Sequence, residues 1–139
     1  MSRYFHEHRV RYRECDPMGV VYHAHYIDYF EIARTEALRS QGISYKSLED
    51  HGTIMPVLDL AVRYFSPARY DDLLEIQCDV TMSDSKVRVL FDYEVRRKGE
   101  SEILVSGHVR LCFFDSARRR PIPAPDWVLA SFPQKKSGE

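Results

Sequence analysis

Apolar residues recur along this chain with two different periods. Near the start, Val10 and Tyr12 alternate with Arg9, Arg11 and Arg13, which predicts a short first strand. It runs into Glu14-Cys15-Asp16-Pro17-Met18-Gly19, where Pro17 and Gly19 mark a loop. Between about His23 and Gln41 the period lengthens. Tyr26, Phe30, Ala33 and Ala37 fall on one helical face, Ile27 and Leu38 widen it, and Gly42 is placed to end the helix. Ile43 to His51 reads as a shorter helix or an irregular connection.

From Val57 the period is two. Val57–Ser66 reads as a strand ending at Pro67. Leu74, Ile76, Cys78 and Val80 alternate with Glu75, Gln77, Asp79 and Thr81. Val87, Val89, Phe91, Tyr93 and Val95 repeat the pattern, as do Ile103, Val105, Val109, Leu111 and Phe113 after the Lys98-Gly99-Glu100 turn. Pro121, Pro123 and Pro125 make the tail irregular before a last helical turn at Asp126 to Phe132. The predicted order is strand, long helix, then four strands. That is an α+β arrangement in which an antiparallel five-stranded sheet curls around one long central helix.

At 139 residues the chain fits a single domain, 1–139, and can bury a core without disulfides or metal. The formal net charge of -1 gives no global reason to expect nucleic acid. Cys15, Cys78 and Cys112 form no CxxC pair and read as reduced thiols of a cytoplasmic protein. The charged start MSRYFHEHRVRYRE is unlike a signal peptide, and no apolar run has the length of a transmembrane segment.

The segment from Tyr12 to Tyr26, Tyr-Arg-Glu-Cys-Asp-Pro-Met-Gly-Val-Val-Tyr-His-Ala-His-Tyr, resembles the signature of the 4-hydroxybenzoyl-CoA thioesterase family. It is closest to the tol-pal-associated acyl-CoA thioesterase branch. Phe30-Glu31-Ile32-Ala33-Arg34-Thr35-Glu36 and the segment from Tyr64 to Asp72 extend the match, so the resemblance covers roughly Arg9 to Phe132. It implies the hotdog fold, a homodimer assembled to a tetramer, and active sites between subunits. It also implies hydrolysis of an acyl-CoA or acyl-carrier-protein thioester with no cofactor, CoA being part of the substrate. Two departures stand out. Glu14-Cys15-Asp16 replaces the common Asp-Thr-Asp, and Ser83-Asp84-Ser85-Lys86 lies where aromatic-substrate members carry adjacent basic residues.

Thioester hydrolysis needs a group that attacks or activates water and a donor for the developing oxyanion. The resemblance assigns the first role to Asp16, as general base or nucleophile, although an Asp beside Pro and Gly is also an ordinary turn former. It assigns the second to the main-chain N–H at His23, where the helix is expected to begin and amide groups lack internal partners. The His23 imidazole could also orient water. Tyr12 is a third catalytic candidate, reaching the site from the first strand, with simple packing as the alternative. Gly19 and Val20 are the substrate-binding candidates of the turn. Ser85, Lys86 and Arg88 are candidates for the CoA phosphates, as are Arg118-Arg119-Arg120, and a solvated charged edge explains both groups equally well.

Four rivals need weighing. His6, His8, His23, His25 and Asp28 show no spacing typical of a catalytic metal site, so no metal is expected. Cys15 adjoins Asp16 and could be a nucleophile, but it fills a position commonly held by Thr. Dehydration of a hydroxyacyl thioester suits a different His-and-acid motif. A non-catalytic acyl-thioester-binding scaffold is the alternative outside enzymology. The acyl group itself is not legible.

Overall fold

The computed structural model describes residues 2–132; the rest of the expected 1–139 domain lies outside the described residues. Strand β1 (Ser2–Arg9) is followed by a single 3₁₀ turn at Tyr12–Glu14 and a loop, then α1 (His25–Ser40) and α2 (Tyr45–Asp50). Strands β2 (Thr53–Ile54), β3 (Val57–Tyr64), β4 (Leu73–Met82), β5 (Arg88–Arg97), β6 (Val105–Cys112), β7 (Phe114–Asp115) and β8 (Arg120–Pro121) come next, and α3 (Asp126–Leu129) closes the order. The main sheet is antiparallel and five-stranded, ordered β1-β4-β5-β6-β3. A small three-stranded sheet joins β2, β7 and β8.

Helix α1 covers one face of the main sheet, which is the hotdog arrangement. Its core side is Tyr26, Tyr29, Phe30, Ala33, Arg34, Ala37 and Leu38. These pack on Leu74, Ile76, Cys78 and Val80 of β4, and on Val89, Phe91, Tyr93 and Val95 of β5, all buried. The alternation that predicted the strands is the alternation that faces the helix. Phe30 stacks on Tyr93 with ring centroids 4.2 Å apart. Beneath that ring, Gly107 leaves no room for a side chain: a Cβ there would lie 2.7 Å from Phe30 Cε2 and 2.5 Å from the Ala61 carbonyl.

Helix α1 ends as expected. Gly42 takes φ +82°, its N–H bonds to Arg39 O, and Ile43 N bonds to Leu38 O, satisfying the last carbonyls. Ser44 then starts α2 by accepting the Ser47 N–H. The uncertain segment from Ile43 to His51 is therefore largely helical.

Three expectations are corrected. The first strand is Ser2–Arg9, not the region around Val10 and Tyr12. Its helix-facing positions are Tyr4, His6 and His8, opposite Cys78, Ile76 and Leu74, and those residue types hide the apolar alternation. Ile27 is 37% exposed and Tyr29 takes its place in the core. Arg34 is also buried, with Nε bonded to the Tyr45 hydroxyl at 2.9 Å and Nη1 to the Tyr93 hydroxyl at 3.4 Å, and no carboxylate among its bonds to the described residues. Finally, α1 starts at His25, not His23, because the residues before it are held in a backbone ladder.

Candidate active site

That ladder builds the site. Asp16 N bonds to Val20 O, Cys15 bridges Val21, and Tyr22 N bonds to Glu14 O, so residues 14–16 and 20–22 run antiparallel. The outer strand of the ladder is pinned to the segment after β3: Val20 bridges Arg69, and Val21 N bonds to Ala68 O. Ala68 N donates to the buried Tyr26 hydroxyl at 3.1 Å. Arg97 holds the same segment through Asp72 Oδ2 and Pro67 O, both at 3.0 Å.

Asp16 sits at the tip. Gly19 N returns to Asp16 O, and the side chain closes the turn as well: Met18 N donates to Asp16 Oδ1 at 2.8 Å and Val20 N at 3.4 Å. The turn-forming reading of Asp16 is thus realised by one oxygen. Among the described residues Oδ2 accepts nothing, and Asp16 as a whole is partly exposed. Gly19 has φ +80° and open space where a Cβ would be. It is glycine for its backbone conformation, not for close approach to a neighbour.

His23 follows the ladder and lies on the surface. Its N–H meets no acceptor among the described residues, while its carbonyl accepts the Tyr64 hydroxyl at 2.9 Å. Two residues on, His25 opens α1 with its N–H on Tyr22 O and its Nδ1 3.1 Å from Asp28 Oδ2. A cleft of about 210 Å³ opens beside His23, lined by Val21, Tyr26, Tyr64, Phe65, Ser66 and Pro67. Larger depressions of about 650 and 520 Å³ lie on the outer sheet face and at the β4–β5 end, and neither is lined by Asp16 or His23.

Not every candidate converges here. Tyr12 lies in the 3₁₀ turn, not on the first strand. It is 81% exposed, packs edge-on against Tyr70, and makes no bond to Asp16. Ser85, Lys86 and Arg88 lie at the β4–β5 turn, with Ser85 Oγ bonded to Val87 N and Lys86 O taken by Ala124 N. That turn follows Met82, whereas the Asp16 ladder packs just before Leu73. Ten strand residues separate the two ends, a span of roughly 30 Å. Arg118 and Arg119 are folded back on Asp115, and Arg120 pairs with it in β8. A single chain therefore does not bring Ser85, Lys86 and Arg88 to Asp16.

Cys15 is a poor nucleophile. Burial pushes its thiol up, and the neighbouring Glu14 and Asp16 carboxylates push the same way. Among the described residues no group of three His, Cys, Asp or Glu side chains is arranged to hold a metal ion.

Sequence reasoning missed three participants. Tyr64 fixes the His23 peptide, Tyr26 fixes Ala68, and Glu14 bonds to four partners behind the loop. The segment from Tyr64 to Asp72 was visible as a motif; what it carries is this docking of the ladder.

Known proteins resemble this chain in sequence and in fold. Acyl-CoA thioester hydrolase YbgC of Escherichia coli O6:H1 is 35% identical over 126 residues, covering 91% of this chain and 92% of that protein. A DHNA-CoA thioesterase from Staphylococcus aureus is 32% identical and superimposes with a TM-score of 0.83, covering 94% of this chain and 89% of the other. A 1,4-dihydroxy-2-naphthoyl-CoA thioesterase from Synechocystis, at 21% identity, shares the fold with a TM-score of 0.87 over 94% of this chain and 95% of the other. Residues 10–132 match the thioesterase-like superfamily as a whole, and with the helix-wrapped sheet and the Asp16 ladder in place, the chain belongs to that superfamily as a hotdog-fold member.

Proposed function

We propose that this protein hydrolyses an acyl-CoA thioester to a free acid and CoA at Asp16. One observation carries the reading: among the described residues, a carboxylate oxygen without a partner stands on the short ladder and a main-chain N–H without an acceptor stands just beyond its end. From the Asp16–Val20 rung to His23 is a displacement of three residues, or about 10 Å. An Asp side chain, an attack distance of about 3 Å and a hydrogen bond of about 2.9 Å together span such a gap. A thioester carbonyl lying between them presents its carbon to Asp16 Oδ2 and its oxygen to the His23 N–H.

Two routes share that geometry. As general base, Oδ2 takes a proton from water while the water oxygen bonds to the carbonyl carbon. The negative charge that develops on the carbonyl oxygen is held by the His23 N–H. When the C–S bond breaks, the pair leaves with sulfur, which takes up the proton. As nucleophile, Oδ2 bonds to the carbonyl carbon directly and expels CoA thiolate, and water then cleaves the resulting anhydride. A single turnover in ¹⁸O-labelled water identifies the nucleophilic route where water attacks the Asp16 carbon of the anhydride, since ¹⁸O then enters Asp16 and an Asp16 oxygen leaves in the acid product. Capture of the anhydride by hydroxylamine identifies it whichever carbon water attacks. Neither route asks for a metal or a redox cofactor.

Homodimerisation is part of the reading. Among the described residues strand β3 pairs with β6 alone, so one edge of the sheet is open at β3. Val57, Leu58, Leu60 and Tyr64 are each exposed there, an apolar edge of the kind that proteins cover by pairing. A partner subunit, in a dimer that pairs again into a tetramer, would bring its own Ser85, Lys86 and Arg88 within reach of CoA bound at the first chain's Asp16. Cytoplasmic location follows from the substrate class and the free cysteines. No helix among the described residues is long and apolar enough to cross a membrane.

The test is release of thiol from a panel of acyl-CoAs and acyl-carrier-protein thioesters, varied from short aliphatic to long aliphatic and aromatic. Turnover on any of them supports hydrolysis. Binding without release would make the protein an acyl-thioester-binding scaffold.

A further inference from the structure

The Asp16 ladder is anchored from behind by a carboxylate that the proposed chemistry does not use. Glu14 Oε1 accepts from Arg11 N at 2.8 Å, His8 Nε2 at 2.9 Å and the Tyr29 hydroxyl at 3.0 Å. Oε2 lies 3.2 Å from the same His8 nitrogen. With a carboxylate as acceptor, His8 must carry its proton on Nε2. The His8 and Tyr29 rings also pack together, with centroids 4.5 Å apart. The His8 and Glu14 side chains are both mostly buried, at 15% and 14% exposure. Burial pushes the Glu14 carboxyl up, but the Arg11, His8 and Tyr29 bonds outweigh it and hold the group below the usual carboxylate range.

The partners come from separate elements. His8 belongs to β1, Tyr29 to the buried side of α1, and Arg11 precedes the 3₁₀ turn. The Glu14 main chain meanwhile receives Tyr22 N, forming the rung of the ladder next to His23. One residue thus joins the sheet, the helix and both strands of the ladder. Asp16 lies two residues beyond it on one strand, and His23 one residue beyond its rung on the other.

We propose that Glu14 is a positioning residue for the hydrolysis read above: its carboxylate locks the base of the ladder so that Asp16 Oδ2 and the His23 N–H face one thioester at the same time. It touches neither substrate nor water. Placement by an ångström is worth about a hundredfold in rate when reacting groups must be held at near-contact distance. The carboxylate at this position reaches a strand, a helix and a turn amide together, and an Asp is one methylene shorter.

Four variants, Glu14→Ala, Glu14→Asp, Glu14→Gln and Tyr29→Phe, test this against the unaltered protein. Measurements are made below each variant's unfolding temperature. In Glu14→Ala, kcat is expected to fall by about a hundredfold with KM within about twofold. Glu14→Gln and Tyr29→Phe, which keep part of the hydrogen bonding, should fall in between. Glu14→Asp, which keeps the charge but not the reach, should not restore full activity. Amide hydrogen exchange at Asp16 and Tyr22 should speed up in Glu14→Ala while the β4 and β5 amides stay protected.

A purely structural role would lower the melting temperature and leave kcat of the folded protein unchanged, and that result overturns the proposal. So does a loss confined to KM, or unaltered exchange at Asp16 and Tyr22. If Glu14→Ala does not fold, Glu14→Gln and Tyr29→Phe carry the same readouts. Absence of turnover in the unaltered protein overturns the proposed function and the catalytic half of this inference, while the exchange measurement still decides whether Glu14 holds the ladder.

Discussion

The Tyr64 hydroxyl donates a 2.9 Å hydrogen bond to the main-chain carbonyl of His23, tying the end of β3 to the turn that enters α1. The bond orients the peptide on the far side of His23 from the N–H assigned to the oxyanion. Tyr64→Phe should therefore lower kcat by about five- to tenfold, the worth of roughly one hydrogen bond. The ring is half exposed, so the melting temperature should change little. Steady-state kinetics beside a thermal melt checks this, and an unchanged kcat would separate Tyr64 from the chemistry.

Two glycines should respond differently to alanine. Gly19 has φ +80° but empty space around it, so Gly19→Ala meets only backbone strain, about 1–2 kcal/mol. Gly107 lies under Phe30 with no room for a Cβ, and overpacking of this kind costs about 3 kcal/mol, near the top of its usual range. Urea denaturation should rank Gly107→Ala as the more damaging; the reverse order would contradict the packing described.

Arg34 is 8% exposed and bonds to tyrosine hydroxyls instead of a carboxylate. Its guanidinium also lies 5.9 Å from the Phe91 ring centroid. Removing the Tyr45 hydroxyl takes away an acceptor from a mostly buried charge, so Tyr45→Phe should destabilise the fold by about 1–3 kcal/mol. It should do so without altering kcat in the folded protein. Equilibrium unfolding with parallel kinetics tests both halves.

Glu14 predicts a pH dependence of stability. Its folded-state carboxyl is held below the ordinary range, so the unfolded chain takes up the proton first as pH falls. The stabilisation is complete above the ordinary Glu value and is lost as pH drops through the lower folded value. Glu14→Gln should accordingly flatten the acid side of the stability curve. Melting temperatures from pH 7 down into the acid range check this, and parallel curves for the two proteins would contradict it.

Most of the fold was legible because the core strands have one buried face. Leu74, Ile76, Cys78 and Val80 announce β4 by alternation alone. Strand β1 was misplaced because Tyr4, His6 and His8 face the helix, and polar rings do not signal an inward face. Strands β2, β7 and β8 have two residues each, too few to show a period. Within the candidate site, Asp16 and His23 stand out as candidates through the motif around them. Tyr64, Tyr26 and Glu14 do not, because they act by bonding to main chain or to residues distant in sequence. The helix start was set two residues early for a related reason: Glu14, Asp16 and Ala68 hold residues 20–22 in a ladder, a constraint that local propensity does not contain.

In the proposed reaction Asp16 does the chemistry while His23 contributes its backbone. The most direct test is kcat for acyl-CoA hydrolysis by Asp16→Asn and His23→Ala at one pH, with circular dichroism to establish that both are folded. Asp16→Asn keeps the turn-forming oxygen that accepts Met18 N but loses the basic, nucleophilic one, so turnover should drop by at least about a hundredfold. His23→Ala keeps the main-chain donor, worth about 3–4 kcal/mol in such sites, and should retain clearly more activity than Asp16→Asn. A folded Asp16→Asn protein with near-parental kcat would contradict the account, and a His23→Ala protein as inactive as Asp16→Asn would contradict the division of labour between them.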